Sequence, residues 1–169
     1  MSKQTDYTPE EWKTICAAPV LAGLLVSVSD MSGPIGITKE AFAVVKGVTE
    51  SAASTSNELI KTLAEQIKAR GGKPDMPELP GDREGVRAAL IDTCKRAAAV
   101  VAQKSAAEAD EYKRWLVSFA RKTAEAAKEG GFLGIGGTVV SEEESSAVKE
   151  LASALGVSAY GAAKGSSPG

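Results

Sequence analysis

Six times along this chain a small polar residue stands just ahead of apolar residues spaced three and four apart. Thr8, Thr38, Thr55, Asp82, Ser105 and Ser141 are those residues. An oxygen at such a position accepts hydrogen bonds from the free amides of a helix's first turn, and the three–four spacing places the apolar residues on one face. Thr55-x-x-Glu58, Ser105-x-x-Glu108 and Ser141-x-x-Glu144 carry the full capping-box pattern, in which the glutamate returns a bond to the cap. Thr8-Pro9-Glu10-Glu11 adds a proline at the first helical position and two carboxylates against the positive helix end. No stretch alternates apolar and polar residues at period two. Thr138-Val139-Val140 is the one β-like run, and it is too short to carry a sheet. The expected fold class is all-α, a single-domain bundle of about six helices.

The first helix is expected to start at Thr8, to kink or break at Pro19, and to resume to about Asp30. A second follows Thr38, with Val44, Val45, Val48 and Ala52 inward. A third opens at Thr55, buries Leu59, Ile60, Leu63 and Ile67, and ends at Gly71-Gly72. A fourth runs from Asp82 to about Lys104 and a fifth from Ser105 to Glu129, the latter burying Tyr112, Leu116, Phe119 and Thr123. The last runs from Ser141 to Gly156 on Val148, Leu151, Ala152 and Leu155. The domain reading is an N-terminal arm over residues 1–7 and a helical bundle over 8–157. A Pro/Gly connector over 71–82 lies inside the bundle, and residues 158–169 form a flexible tail. At 169 residues the chain is long enough to bury roughly 70% of its unfolded surface, so neither metal nor disulfide is needed to hold it.

The chain has no histidine. That excludes Ser-His-Asp and Cys-His catalysis, histidine-ligated zinc or haem, and the Glu-x-x-His di-iron bundle. Cys16 and Cys94 are far apart, sit on apolar stripes and make no Cys-x-x-Cys, so both are expected as packed, reduced thiols. Twenty basic residues balance 22 acidic ones, and no run exceeds two adjacent cations, which argues against nucleic acid as a partner. The polar opening Met1-Ser2-Lys3-Gln4 lacks the form of a signal peptide, and a cytoplasmic location is expected. The apolar stretch Cys16 to Val28 reads as a buried core helix rather than a transmembrane segment. Trp12 and Trp115 fit the core faces of their helices. The carboxylates at Glu108, Asp110 and Glu111 and at Glu142 to Glu144 fit helix-start electrostatics, not an acid–base pair.

Two segments stand out as candidate sites. Gly130 to Gly137 holds five glycines, leaving Phe132, Leu133 and Ile135 as its only side chains. A phosphate cradle is disfavoured, because no Gly-Lys-Ser/Thr is present and three glutamates open the following helix. A compact structural loop, or an apolar finger that docks on a partner or another copy, fits better. Asp30 to Glu40 has the outline of a calcium loop. Its fifth position is Pro34 and its terminal acid falls at position eleven, so only a weak metal site on Asp30 and Glu40 is expected.

The two halves also share a pattern. A helix ends at Ser29-Asp30, passes a glycine turn and continues Ile37-Thr38-Lys39-Glu40; another ends at Lys128-Glu129 and continues Val140-Ser141-Glu142-Glu143. Generic helix-start grammar explains this and is the reading preferred here. A true repeat would relate two helical hairpins by a pseudo-two-fold. Over residues 20–48 and 124–157 the pattern resembles the all-helical domain of tellurite-resistance B-like (TerB-like) proteins. That resemblance implies an acidic turn with metal affinity, matched at Asp30 and Glu40 and in the second copy at Glu129 and Glu142. The opening Tyr7-Thr8-Pro9-Glu10-Glu11-Trp12-Lys13 and the Gly130–Gly137 segment are also similar to an uncharacterised bacterial family of all-helical proteins.

The functional expectation is a non-enzymatic helical protein, without a cofactor, that works through protein partners or self-association, with the TerB-like resemblance implying a stress-associated scaffold. The alternative is a small-ligand or divalent-metal-binding helical domain.

Overall fold

The structure is a computed structural model that describes residues 2–29, 46–73, 75, 77–129 and 140–159. All regular structure within those residues is helical. A short 3-10 turn, Gln4–Asp6, precedes α1 (Pro9–Ser29). Residues 46–53 are the described part of α2. They are followed by α3 (Glu58–Ala69), α4 (Arg83–Lys104), α5 (Ala106–Glu129) and α6 (Glu142–Leu155). The expected Thr38 cap and the apolar residues Val44 and Val45 lie outside the described residues, as do residues 160–169 of the expected tail.

The helix-start signals act at three of the five starts that are described. The Thr8 amide donates to Glu11 at 2.8 Å and the Glu11 amide returns to the Thr8 hydroxyl at 3.2 Å, closing a reciprocal box around Pro9. Asp82 accepts from the Gly85 amide at 2.8 Å, and Ser141 and Glu144 exchange bonds of 3.0 and 3.1 Å. Ser105 separates α4 from α5, as expected. The third helix corrects the reading. Its cap is Asn57, whose side chain takes the Leu59 and Ile60 amides at 3.0 and 3.3 Å, while Thr55 bonds to Glu111 of α5. At the other ends, Gly72 (φ 72°) returns its amide to the Ile67 carbonyl at 2.9 Å, and Gly156 closes α6 at φ 69°.

Pro19 does not break α1, which runs unbroken through 21 residues. Proline has no amide hydrogen, so the Ile15 carbonyl one turn earlier loses its helix partner. The Tyr112 hydroxyl of α5, fully buried, donates to that carbonyl at 2.8 Å. The backbone group that proline orphans is satisfied from the neighbouring helix.

α1 is the centre of the bundle and packs against α3, α4, α5 and α6. Side-chain contacts fix the directions. Tyr112 of α5 meets Ile15 near the start of α1, and Phe119 and Thr123 lie at Gly23 further along, so α1 and α5 run parallel. α4 runs the other way: Lys104 at its end pairs with Glu11 at 3.4 Å, and Arg83 at its start bonds the Val28 carbonyl at 3.0 Å and the Ser29 carbonyl. α2 is antiparallel to α5 in four-residue steps. Gly47 faces Phe119, Ser51 accepts from the Trp115 indole at 2.8 Å, and Thr55 meets Glu111. The fully buried Leu21, Leu25, Leu90, Leu116 and Leu151 come from the four main helices, and Leu116 and Leu151 are on the faces the periodicity assigns.

α1 is long and apolar enough to cross a membrane, with a mean hydropathy of 1.5 over its best window. However, 78% of that window is buried inside the bundle, so the core accounts for its composition.

Two helical glycines hold one ring. A Cβ at Gly23 would lie 2.8 Å from Phe119 Cε1, and one at Gly47 would lie 2.9 Å from Cε2. The ring is wedged between α1 and α2 and cannot retreat from one without pressing the other. Gly23→Ala and Gly47→Ala are each expected to lower the thermal midpoint, since overpacking costs about 1–3 kcal/mol against the roughly 1 kcal/mol that alanine gains in helix propensity. Gly81→Ala, with open space at its Cβ, should leave the midpoint unchanged. Calorimetry of the three variants checks this.

Candidate functional site

The sequence-predicted site residues, Phe132, Leu133, Ile135, Asp30 and Glu40, all lie outside the described residues. What the structure supplies is the frame from which their segments leave. Parallel α1 and α5 bring Ser29 and Glu129 to the same end of the bundle. That end is tied down from three sides. The Arg83 guanidinium occupies the last two carbonyls of α1, the Ser29 hydroxyl folds back on the Leu25 carbonyl at 2.7 Å, and the Phe119 wedge sits a turn and a half below. The described start of the following hairpin arm, Val140-Ser141, is fixed by the Glu144 capping box, with Glu144 itself 4% exposed. Ser29, before the first segment, is thus held by Arg83, and Ser141, after the second, by its capping box with Glu144.

At the opposite end lies a polar cluster that local sequence reading misassigns. Glu108 belongs to a nominal capping box with Ser105, yet its Oε2 accepts the amide and hydroxyl of Ser2, 106 residues away. Tyr7 donates to that same hydroxyl at 2.8 Å and stacks obliquely on Trp12, ring centroids 5.6 Å apart. Burial works to raise the Glu108 carboxyl, but hydrogen bonds from the Ser2 side chain and then its backbone hold it below its ordinary value. Glu11 is likewise lowered, first by the Thr8 backbone hydrogen bond. Glu111 accepts from Thr55 and from the Asn57 amide at 3.1 Å, pinning the α2–α3 link to α5. No short-range pattern could reveal Ser2 or Thr55 as partners, because the contacts join residues more than fifty positions apart.

Both thiols are buried, as the sequence implies. Cys94 donates weakly to the Ala18 carbonyl at 3.6 Å across α1 and α4. Burial pushes the Cys16 thiol up to about 11 and the Cys94 thiol up to about 12. A depression of about 10 Å³ beside Cys16, rimmed by Lys13, Arg70 and Lys73, has room for roughly one water. Among the described residues, no group of three or more Cys, Asp or Glu side chains is placed to hold a metal ion. No protein-family model matches the chain, and no curated protein or solved structure matches it.

The thiol environment sets two expectations. In the folded protein the thiolate population of Cys16 is about 100-fold below that of a free thiol, since each pKa unit is a factor of ten, so thiol reagents at pH 8 should react only as the protein unfolds. The sign of the pH dependence follows. The unfolded chain releases these protons near 9.0 while the folded chain keeps them to about 11 and 12, so stability falls as pH rises above 9. Reagent kinetics with and without denaturant, and melts from pH 8 to 10, test both.

Proposed function

We propose that this protein acts through protein–protein contacts or self-association, made at the end of the bundle where α1 and α5 terminate together. The parallel course of these two helices supports the reading, because it brings Ser29 and Glu129, the described residues that directly precede the Asp30–Glu40 and Gly130–Gly137 segments, to one end. The described surface supports it from the other direction. Leu79, 36% exposed, is the one exposed large hydrophobic among the described residues. An apolar contact therefore draws on Phe132, Leu133 and Ile135, the concentration of large apolar residues in the second segment. In this reading the bundle is a scaffold, stress-associated by its resemblance to TerB-like domains, and two buried free thiols fit a reducing compartment such as the cytoplasm.

A divalent-cation site on Asp30 and Glu40 is the competing proposal. Arg83 weighs against it. Its guanidinium is fixed on the Ser29 carbonyl, one residue before Asp30, and a standing positive charge there opposes a dication.

Light scattering on the full chain and on a Phe132→Ser/Leu133→Ser variant tests the proposal. The wild type is expected to exceed its monomer mass of 17.4 kDa, or to retain a partner, and the variant to lose that property with its helical circular dichroism intact. Equal masses and equal partner retention would move the contact elsewhere. Millimolar calcium is expected to leave the melting midpoint unchanged; a rise would favour the cation reading, since a ligand that binds only the native state stabilises it.

A further inference from the structure

The carboxylate of Glu108 has more bonding capacity than its surroundings fill. Glu108 lies in the first turn of α5 and is 7% exposed. Its Oε2 accepts the Ser2 amide at 2.9 Å and the Ser2 hydroxyl, while Oε1 is buried and accepts no hydrogen bond. Among the described residues no lysine or arginine forms an ion pair with it; Lys104, at the end of α4, pairs with Glu11 instead. A desolvated carboxylate with one oxygen unfilled and no lysine or arginine paired to it is costly, and the positive end of α5 offsets only part of that cost.

The donor already in place is the Ser2 nitrogen. As a peptide amide it carries one hydrogen; as an α-ammonium it carries three hydrogens and a full positive charge. We propose that Glu108 is a receptor for the α-ammonium of Ser2, so that hydrolysis of the peptide bond preceding Ser2 is a processing step that locks the N-terminal arm onto α5. The step consumes one water. The C–N bond breaks, the preceding residue leaves as a carboxylate, and the Ser2 nitrogen gains the protons that make it an ammonium; a peptidase supplies the catalysis. The two added hydrogens bring a donor for Oε1, and the new charge pairs with the buried carboxylate. The charges that act on the adjoining Tyr7 hydroxyl, itself bonded to the Ser2 hydroxyl, are the carboxylates of Glu108, Asp6 and Glu11, and Lys104 of α4 is engaged by Glu11. The device works whatever length of chain precedes Ser2, because it reads only whether that nitrogen is an amide or an amine.

Two forms of the full chain test it. One has Ser2 as its free N-terminus, released from a fusion by a protease that cuts directly before it; the other retains three extra residues there. Each is made as wild type and as Glu108→Gln. At pH 7 the free-terminus wild type is expected to melt about 2–4 °C or more above the extended form. An α-amine ordinarily titrates near 7.7–8.0 and pairing raises its folded value, so the gap is full below that range and closes as pH rises through the raised value. The gap should be absent in Glu108→Gln. Equal midpoints for the two wild-type forms, or a gap of the same size in Glu108→Gln, would overturn the proposal. Should Glu108→Gln fail to fold, acetylating the free-terminus form decides the matter: loss of the gap supports the receptor, and a retained gap overturns it.

Discussion

In the interior of the most buried helix, a proline removes the amide that the Ile15 carbonyl needs, and the Tyr112 hydroxyl replaces it. Much of the architecture follows from that one bond. An unpaired carbonyl at this depth costs roughly 1–3 kcal/mol, so helical continuity of α1 through Pro19 is favoured while α5 lies against it in one register. That register puts Phe119 level with Gly23, which in turn seats the ring edge on Gly47 and brings α2 alongside. The same placement sets α1 and α5 parallel, so their C-terminal ends reach one end of the bundle. The bond is a packing constraint as well as a hydrogen bond, because a buried tyrosine that must reach one carbonyl leaves its helix little freedom to slide.

Local signals were legible wherever a contact closes within one turn. Ser141 with Glu144 and Thr8 with Glu11 form their boxes, Asp82 caps α4, and the two glycines after α3 take the left-handed backbone that ends it. The core faces of α3 and α6 follow the three–four spacing, as Leu63 and Leu151 show. The readings that needed correction all involve a distant partner. Thr55 gave up its cap because Asn57 stands closer to the free amides and Glu111 of α5 offers a charged acceptor. Glu108 turned to Ser2, and Pro19 stayed helical through Tyr112. Single-sequence grammar contains no term for these long-range hydrogen bonds. For the candidate site, the five predicted residues belong to segments outside the described structure, and only their anchoring at Ser29 and Ser141 was open to comparison.

The missing histidine and the elevated thiol pKa values point the same way for chemistry. The groups that do carry functional potential in the described structure are carboxylates, and most are committed to architecture. Glu11, Glu111 and Glu144 each hold a helix start or a link between helices. Glu108 is the exception, with one oxygen engaged and one bare. The chain thus spends its polar side chains on joining helices, and its described surface is almost free of large apolar groups.

The central claim is that the Tyr112 hydroxyl stands in for the amide that Pro19 lacks, and a double-mutant cycle measures it. Tyr112→Phe should lower unfolding free energy by about 1–3 kcal/mol in the wild-type background. In a Pro19→Ala background, where the substituted alanine supplies its own amide to the Ile15 carbonyl, the same change should cost much less, giving a coupling of at least about 0.5 kcal/mol. Equal costs in both backgrounds, measured by denaturant titration, would contradict the account.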